Sequence, residues 1–478
     1  MCSIVGINGK FSCSDVEVML ETLKHRGPDG YGIYTDGNIY YNCFDDINSC
    51  DDGFIMAHNL LSIVGDVKLQ PFKCGDLTIV ANAELYNYKQ LIDDFNLDID
   101  ASSCSDCEII VEIIERNYNG NLYDAVIKSI DVFDGDYAFA ITDGCDYIVM
   151  RDNYGIKPLY YGCNSDKFAF ASEQKALKSI GITDIENLNP RCMIYNDKII
   201  KYRSEPKRDI FYDDYNTAVE DLKDALTQSV AKRVEDLESV AVLFSAGVDS
   251  SIVVQILKNL EKDIQLYTVG VENSQDLKVA RNVASDMHLP LNEWVIDQEV
   301  VENYFYDTID TIESNNIMKI GVGMTIKLTS KLAHDDGYKV MLTGQGADEL
   351  FAGYNRYAKK YDTPDLLYQE LECDLNNIYN VNLERDDKSA MSNSVELRVP
   401  FLDFNVVDVA VQMPYNYLIH SNDDKIRKHI LRDVALKLGL PEDVAKRPKK
   451  AAQYATGIDK TIRKKLLKKD EYRKLIEN

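Results

Sequence analysis

The sequence has little positive charge: 53 lysines and arginines stand against 79 aspartates and glutamates, which gives a formal net charge of −26 at pH 7. Such a surface repels phosphate backbones and anionic lipid, so we expect no nucleic-acid partner. No run approaches the roughly 20 apolar residues that cross a bilayer, and the opening residues lack the pattern of a signal peptide. We therefore expect a cytoplasmic protein without a membrane partner.

Two familiar motifs are incomplete or missing. Cys104 and Cys107 form one CxxC, but no second pair or nearby histidine completes four zinc ligands, which disfavours a metal site there. No GxxxxGK[ST] stretch occurs, which excludes a Walker A loop. The 11 cysteines are an odd number, which favours reduced thiols over a disulfide framework.

The first part of the chain has the pattern of a layered α+β domain. A length of 478 residues allows about two to four domains. Up to about residue 203, short alternating runs are separated by Gly, Asp and Asn turns: FIMAHNL, LTIVANAEL, YAFAIT, YIVM, KFAFAS and MIYND. This pattern predicts many antiparallel strands. The polar stretch RSEPKRD at 203–209 is the predicted linker.

Beyond the linker the hydrophobic period changes. Apolar residues at three- and four-residue steps predict an amphipathic helix within 217–237; they are Val219, Leu222, Leu226, Val230 and Val234. The apolar runs SVAVLF, QLYTVGV and KVMLTG are each followed by a turn and a helical segment. Strands of this kind indicate a parallel sheet covered on both faces. We predict a doubly wound α/β domain with a helical tail.

The stretch VAVLFSAGVDSS has the features of a phosphate loop. A strand is predicted to end at Phe244, the chain turns through 245–247, and a helix starts near Asp249 or Ser250. Small residues let backbone N–H groups approach an anion, and a helix N-terminus adds about half a positive charge. Pyrophosphate is therefore the expected ligand. The alternative is a turn that only packs a helix on the sheet.

A second strand end strengthens this interpretation. VMLTGQGADELFAGYNRY places Gly344, Gly346, Asp348 and Glu349 after a strand and before a helix. Ligands of open α/β sheets bind outside the carboxyl ends of the strands. Asp249 and Asp348 are therefore candidates to share one Mg²⁺ that bridges nucleotide phosphates. The alternative is that either aspartate only caps a helix.

The second residue of the chain is a candidate nucleophile. Removal of the initiator methionine would leave Cys2 with a thiol and a free α-amine. An amine that titrates near neutrality can take the proton from the thiol of its own residue. The alternative is a buried structural cysteine, since free cysteine is among the most buried residue types.

Taken together, the motifs resemble one enzyme family. FSAGVDSS is similar to the SGGxDS loop of ATP pyrophosphatases, and TGQGADELFAGY to the second signature of asparagine synthetases. Several stretches in the first part of the chain are similar to class II glutamine amidotransferase domains: MCSIVGI, HRGPDG, SIVGDVKLQPF, ANAELYN, SDCE, FDGDYAFAI and RDNYGIKPLYYG. SVELRVPFLD and RPKKAAQY resemble the C-terminal segments of the same synthetases. The collinear order over nearly the whole chain identifies it as a member of the glutamine-hydrolysing asparagine synthetase family.

The resemblance implies two sites in two domains. Residues 1–203 would form an αββα glutaminase domain, and residues 204–478 a synthetase domain of the ATP pyrophosphatase type. ATP with Mg²⁺ would activate aspartate as an acyl-adenylate, and ammonia from glutamine would reach it through the protein. The expected partners are glutamine, aspartate and ATP, and a homodimer is a candidate assembly.

The resemblance also assigns residues in the glutaminase domain. Cys2 would attack the side-chain amide of glutamine, with its own amine as the base. Asn82 and the backbone N–H of Ala83 would hold the oxyanion. Glu84 and Asp106 would hold the amino-acid head of glutamine.

For the synthetase domain, the resemblance places ATP on residues near the strand ends: Phe244, Ser245, Gly247, Asp249, Ser250, Val269, Thr343 and Gly344. Lys449 would reach the acyl-adenylate, where a cation stabilises developing negative charge. The alternative is that 446–450 is only a solvated basic run.

The chain departs from the family pattern at four positions. Ala83 replaces the glycine of NGE, which implies strain if that backbone needs a positive φ. Ala246 replaces the first glycine of SGG, which we expect to be a mild change. Leu60 replaces the arginine that clamps the glutamine carboxylate, and Arg26 is the nearest candidate to replace it. Gln345 replaces a glutamate implicated in adenylate formation, and an amide cannot act as a base at neutral pH.

His25 and His58 are expected to be structural rather than catalytic. Two alternative functions stay open. The first is an amide ligase of the same superfamily that acts on another carboxylate, which Leu60 and Gln345 permit. The second is a weakened homologue that binds nucleotide or amino acid as a sensor.

Overall fold

The chain folds as two units, Met1–Glu205 and Pro206–Asn478, each with its own core. A computed structural model describes residues 2–44, 47, 49–63, 67–448 and 456–476. Within those residues, no helix has the length and apolar character needed to cross a membrane.

Antiparallel strands build the first unit. They are β1 Ser3–Phe11, β2 Gly30–Thr35, β3 Asn38–Tyr41, β4 Cys50–Leu60, β5 Phe72–Cys74, β6 Leu77–Leu85, β7 Gly135–Thr142, β8 Tyr147–Arg151, β9 Tyr160–Cys163, β10 Lys167–Ala171, β11 Ile185–Asn187, β12 Cys192–Tyr195 and β13 Lys198–Lys201. One sheet has the order β11-β9-β10-β1-β4-β2-β3 and the other the order β13-β12-β8-β7-β6-β5. The alternating runs noted in the sequence lie in these strands.

Helices cover the outer faces of the two sheets. They are α1 Cys13–Thr22, α2 Tyr88–Asp94, α3 Asp106–Asn117, α4 Leu122–Ser129 and α5 Gln174–Ser179. Residues of α1 and α5 share a core with β1, β4 and β10, and residues of α2 to α4 share one with β6, β7 and β8. A third core, which includes Ile4, Met56, Val80 and Val149, joins the facing sides of the sheets. The predicted αββα arrangement is therefore confirmed.

The second unit contains a parallel sheet. Its strands are β14 Ser239–Leu243, β15 Asp263–Val271, β16 Leu291–Ile296, β17 Val340–Leu342 and β18 Glu396–Arg398. Their order is β16-β15-β14-β17-β18, and every neighbouring pair is parallel. The chain leaves β14 towards one edge and reaches β17 on the other side, so the order reverses between these strands. Such a reversal point is where open α/β sheets bind ligands.

Helices precede, connect and follow these strands. They are α6 Tyr215–Arg233, α7 Val248–Asn259, α8 Gln275–Asp286, α9 Gln298–Asn303, α10 Phe305–Ile312, α11 Ile317–Asp335, α12 Ala347–Leu350, α13 Asn355–Ala358, α14 Pro364–Ile378, α15 Glu384–Met391, α16 Phe404–Val411, α17 Tyr415–Leu418, α18 His429–Lys437 and α19 Glu442–Ala445. Two further helices span Ile458–Lys464 and Asp470–Ile476. The predicted parallel α/β domain with a helical tail is confirmed. The strand before the phosphate loop ends at Leu243, one residue before the predicted end, and the helix begins at Val248.

Candidate functional sites

The first candidate site lies where β1 begins beside β6. The nitrogen of Cys2 donates to Asn82 Oδ1 over 3.0 Å, and both residues are buried. The Nδ2 atom of Asn82 is buried and has no hydrogen-bond partner among the described residues. A buried amide donor without a partner is costly unless a ligand accepts its hydrogen bond. The pair therefore provides a thiol and an amide donor to one place.

The end of β6 brings in the predicted glutamine-binding carboxylates. Asp106 is the first residue of α3, and its Oδ2 atom accepts from the backbone N–H of Leu85 over 2.7 Å. Leu85 follows Glu84 in β6, so this bond places Asp106, at the start of α3, near Glu84. The structure thus gathers Cys2, Asn82, Glu84 and Asp106 around one strand.

Gln70 is a residue that sequence analysis missed. Its side chain is buried and bonds β6 in both directions: Nε2 donates to the carbonyl of Ala81 over 3.0 Å, and Oε1 accepts from the N–H of Ala81 over 2.6 Å. These bonds hold the backbone next to Asn82. The signal available in the sequence was the QPF motif, but a motif does not say which strand its side chain bonds.

Arg26 is not available as a substitute for the missing arginine clamp. Its side chain is fully buried, with Nη1 at 2.8 Å from Glu173 Oε1 and Nε donating to the carbonyl oxygen of Cys2 over 3.2 Å. Burial alone would raise the pKa of Glu173, but its interactions with His25, Lys175 and Arg26 hold that pKa well below its usual range. The hypothesis that Arg26 replaces the missing arginine and binds the glutamine carboxylate is therefore wrong. Arg26 positions the backbone of Cys2.

Leu60 offers no polar group in place of the clamp. It is the last residue of β4, lies opposite Gly30 and is almost completely buried. Its carbonyl oxygen accepts from the N–H of Asp29 over 2.9 Å. The side chain therefore adds apolar surface where the family carries a guanidinium.

Backbone strain falls on Ala246 rather than Ala83. Ala83 lies inside β6, opposite Tyr137, and is not among the residues with positive φ. Ala246 has φ of 54° and is 1% exposed. A left-handed conformation costs an alanine about 1–2 kcal/mol. The condition for strain at position 83 is therefore not met, whereas the change at Ala246 is not as mild as predicted.

The second candidate site lies at the reversal point of the parallel sheet. The loop after β14 leads into α7, with Gly247 at the N-cap, and Ser250 Oγ donates to the carbonyl of Gly247 over 3.3 Å. A Cβ atom added to Gly344, after β17, would lie 2.8 Å from Asp249 Cβ and 2.9 Å from Ser250 N. The two predicted loops are thus in direct contact, and only a glycine fits between them.

The remaining predicted ATP residues lie at the carboxyl ends of the same strands. Phe244 and Val269 are buried, at the end of β14 and near the end of β15. Thr343 follows β17, and its N–H donates to the carbonyl of Arg398 over 3.1 Å. Ser245 Oγ lies 3.3 Å from Ser250 Oγ. One edge of the sheet therefore carries all of these residues.

Asp249 and Asp348 converge on one cationic group. Lys428 Nζ lies 2.7 Å from Asp249 Oδ1 and 2.6 Å from Asp348 Oδ1, and the side chain of this lysine is fully buried. Two carboxylates that meet at one positive charge have the placement that a shared Mg²⁺ requires. The residues therefore fit the predicted metal. Sequence analysis missed Lys428, since no motif marks a lysine 179 positions beyond Asp249.

Glu349 is a buried carboxyl group next to the carboxylate pair. Its Oε1 atom accepts from Tyr354 OH over 2.7 Å and from Asn382 Nδ2 over 2.8 Å. Burial and the neighbouring charge of Asp348 raise the pKa of Glu349 to about 7. Gln345, four residues earlier, is half-buried and brings only an amide. Glu349 is thus a carboxyl group of this loop that titrates near neutrality.

The remaining predictions concern Lys449, His58 and the CxxC pair. Lys449 lies outside the described residues. His58 is fully buried, and burial lowers its pKa to about 3, so it is neutral at physiological pH. The thiols of Cys104 and Cys107 bond different carbonyls, and the described residues contain no group of three or more His, Cys, Asp or Glu side chains arranged to hold a metal ion.

Comparisons with known proteins match both units. The family model described as asparagine synthase matches residues 221–364 and 359–477, and the glutamine amidotransferase domain model matches 1–194. A putative glutamine-hydrolyzing asparagine synthetase 1 of Methanocaldococcus jannaschii is 37% identical, over 97% of this chain and 95% of the relative. Glutamine-hydrolyzing asparagine synthetase B of Escherichia coli is 30% identical, over 96% of this chain and 82% of the relative. A solved glutamine PRPP amidotransferase from B. subtilis is 22% identical over 61% of this chain and 65% of its own, with a TM-score of 0.38.

Proposed function

The chain belongs to the glutamine-hydrolysing asparagine synthetase family, and from this membership we propose that it makes asparagine from aspartate, ATP and glutamine. Residues 1–203 act as the glutaminase domain and residues 204–478 as the synthetase domain. Ammonia released in the first is consumed in the second.

In the glutaminase reaction, the Cys2 thiolate attacks the side-chain carbonyl of glutamine. The C–N bond breaks as the leaving nitrogen takes the proton held by the Cys2 amine, so that ammonia departs and a thioester remains. Once Met1 is removed, the Cys2 nitrogen is the amine that takes the thiol proton, and Asn82 Oδ1 orients it at 3.0 Å. The Nδ2 atom of Asn82, with the N–H of Ala83, stabilises the oxyanion. Asp106 and Glu84 bind the α-amine of glutamine. Water then releases glutamate from the thioester.

In the synthetase reaction, an oxygen of the aspartate side chain attacks the α-phosphorus of ATP, and the bond to pyrophosphate breaks. The loop at 245–250 binds the phosphates, and Val269, Thr343 and Gly344 bind the adenosine. Asp249 and Asp348 would hold Mg²⁺, which would neutralise charge on the phosphate oxygens. Ammonia then attacks the acyl carbon of the adenylate, AMP leaves, and the product is the amide. Lys449 is the candidate cation for the developing charge.

The observation that carries the proposal is the meeting of Asp249 and Asp348 on one positive charge at the reversal point of the parallel sheet. Two carboxylates at one place repel each other unless a cation lies between them, and here Lys428 supplies that charge. Their position at the carboxyl ends of β14 and β17 is where an α/β sheet binds a nucleotide.

The test is the stoichiometry of the products. With aspartate, ATP, Mg²⁺ and ammonia, the full-length protein is expected to form AMP, pyrophosphate and asparagine in equal amounts. Asp348→Ala is expected to lose this activity, since removal of a metal-binding carboxylate costs several kcal/mol of charge stabilisation. Formation of ADP in place of AMP would overturn the proposal.

A second candidate is amide formation on another carboxylate, which Gln345 favours because this position carries glutamate in the family pattern. The same assay with a panel of amino-acid carboxylates separates the two: AMP release with a compound other than aspartate supports this alternative. Nucleotide binding without AMP release from any acceptor supports the sensor function instead.

A further inference from the structure

We propose that Lys428 makes metal binding at the Asp249–Asp348 pair depend on the nucleotide. Its ammonium group occupies the position between the carboxylates, so a free divalent cation is excluded and enters only together with an anionic nucleotide. This inference rests on the proposed nucleotide site. It assigns to Lys428 the discrimination between free Mg²⁺ and Mg²⁺ bound to ATP.

The contacts of Lys428 leave little space beside the two carboxylates. Its Nζ atom lies within 2.7 Å of an oxygen of each aspartate, and no part of the side chain is exposed. A Cβ atom added to Gly353 would lie 1.8 Å from Asp348 Oδ1 and 2.3 Å from Lys428 Cε. The side chain of Lys428 therefore packs against the backbone at Gly353 and is part of the buried interior.

The backbone of Lys428 is also held in an unusual conformation. Arg427 and Lys428 are consecutive non-glycine residues with φ of 53° and 55°. Asp424 Oδ1 accepts from the N–H of Arg427 over 3.0 Å, and Arg427 Nε donates to the carbonyl of Gly353 over 2.9 Å. Left-handed residues persist only where the surrounding structure enforces them, and they cluster at functional sites. The fold thus directs this ammonium at the carboxylate pair.

Electrostatics give the direction of the effect. Two carboxylates and one ammonium sum to a single negative charge, and a divalent cation placed among them meets the like charge of Lys428 at close range. The phosphates of ATP add several negative charges, which offset that repulsion. Metal binding is therefore weak for the protein alone and strong for the protein with nucleotide.

Another buried lysine of the same unit serves as a matched control. Lys388 Nζ lies 2.6 Å from Glu313 Oε2, and both side chains are less than 5% exposed. Replacing either lysine with methionine removes a buried positive charge and leaves a carboxylate behind. The change at Lys428 frees the two carboxylates that are predicted to share a metal ion, and the change at Lys388 does not touch them.

The experiment measures the unfolding temperature of the full chain with MgCl₂ alone, with α,β-methylene-ATP alone and with both. The wild type is expected to gain stability from both together and none from MgCl₂ alone. Lys428→Met is expected to bind MgCl₂ alone at least about tenfold more tightly and to be stabilised by it. Lys388→Met is expected to show no such gain, and Lys428→Arg, which keeps the charge, is expected to behave as the wild type.

Stabilisation of the wild type by MgCl₂ alone would overturn the inference, and so would an equal gain in Lys428→Met and Lys388→Met. If Lys428→Met does not fold, calorimetric titration of the wild type decides: strong binding of free Mg²⁺ overturns the inference, and binding seen only with nucleotide supports it. This readout needs no turnover. Nucleotide-dependent stabilisation without AMP formation would therefore support the inference and overturn only the proposed reaction.

Discussion

The nitrogen of Cys2 and the side-chain oxygen of Asn82 are joined by a hydrogen bond of 3.0 Å, although 80 positions separate them in the sequence. This bond uses the acceptor of the Asn82 amide and leaves its donor buried and without a partner among the described residues. One side chain can therefore orient the base and stabilise the oxyanion.

Asn82→Ala is expected to lower kcat for glutamine hydrolysis about 10²- to 10³-fold, because one oxyanion donor is lost. Asn82→Asp is expected to do the same, since a carboxylate has a similar shape but donates no hydrogen bond. The rate of glutamate release is measured, with ammonia-dependent synthesis as the control. Retained activity in Asn82→Asp would contradict the assigned role.

Cys2→Ala is expected to abolish glutamine-dependent amide formation and to leave synthesis from added ammonia intact, because only the first site needs the thiolate. Burial raises the pKa of the Cys107 thiol well above its usual range, so Cys107→Ala is a matched control and is expected to keep glutamine use. Mass spectrometry of the wild type is expected to find Met1 removed. Equal losses with both nitrogen donors would show that Cys2 is structural.

Leu60→Arg is expected to lower the KM for glutamine. A guanidinium that binds a partly buried carboxylate is worth on the order of 2 to 5 kcal/mol, or about 30- to 4,000-fold in binding. Since Arg26 is committed to Glu173, we expect the parent glutaminase to be active but weak. Leu60→Met keeps the apolar volume and is the control. An unchanged KM in Leu60→Arg would mean that another group already binds the carboxylate.

Two alanine-to-glycine substitutions are expected to act in opposite directions. Ala246→Gly relieves a left-handed alanine but gives the unfolded chain more freedom, so the expected change is from zero to a gain of about 1 kcal/mol in unfolding free energy. Ala83→Gly weakens a strand with extended backbone and is expected to cost about 0.5–1 kcal/mol. Chemical denaturation of both variants measures the difference. A clear loss in Ala246→Gly would argue against strain at this position.

The stability of the protein is expected to depend on pH through His58. Burial lowers its pKa from 6.5 to about 3, so between these values the unfolded chain binds a proton that the folded chain does not. Unfolding free energy therefore falls as the pH drops below 6.5, and this contribution levels off below 3. The expected loss from His58 is about 2 kcal/mol between pH 7.5 and pH 5. The side chain introduced by His58→Gln does not titrate. The unfolding free energy of this variant, measured by chemical denaturation, is therefore expected to lack the part of the pH dependence that His58 contributes.

The pattern of apolar residues was enough to predict a layered α+β domain followed by a parallel α/β domain. LTIVANAEL alternates and becomes β6, which spans the same residues, and SVAVLF is apolar throughout and becomes the buried parallel strand β14. The motifs placed Asp249 and Asp348 after neighbouring strand ends. These features are local or follow from the geometry of a parallel sheet, in which carboxyl ends share one edge.

Only the tertiary structure shows which side chains pair with each other when they are distant in the sequence. The sequence suggested Arg26 as a free cation, yet burial beside Glu173 commits it to an ion pair. The sequence also could not decide whether Ala83 is strained, because φ depends on whether a residue lies in a strand or in a tight loop. The ammonium of Lys428 reaches Asp249 across 179 positions because Lys428 caps α18, which packs against α7. Which charges become neighbours is determined by how the elements pack, since Coulomb energies depend on distance and burial and not on separation along the chain.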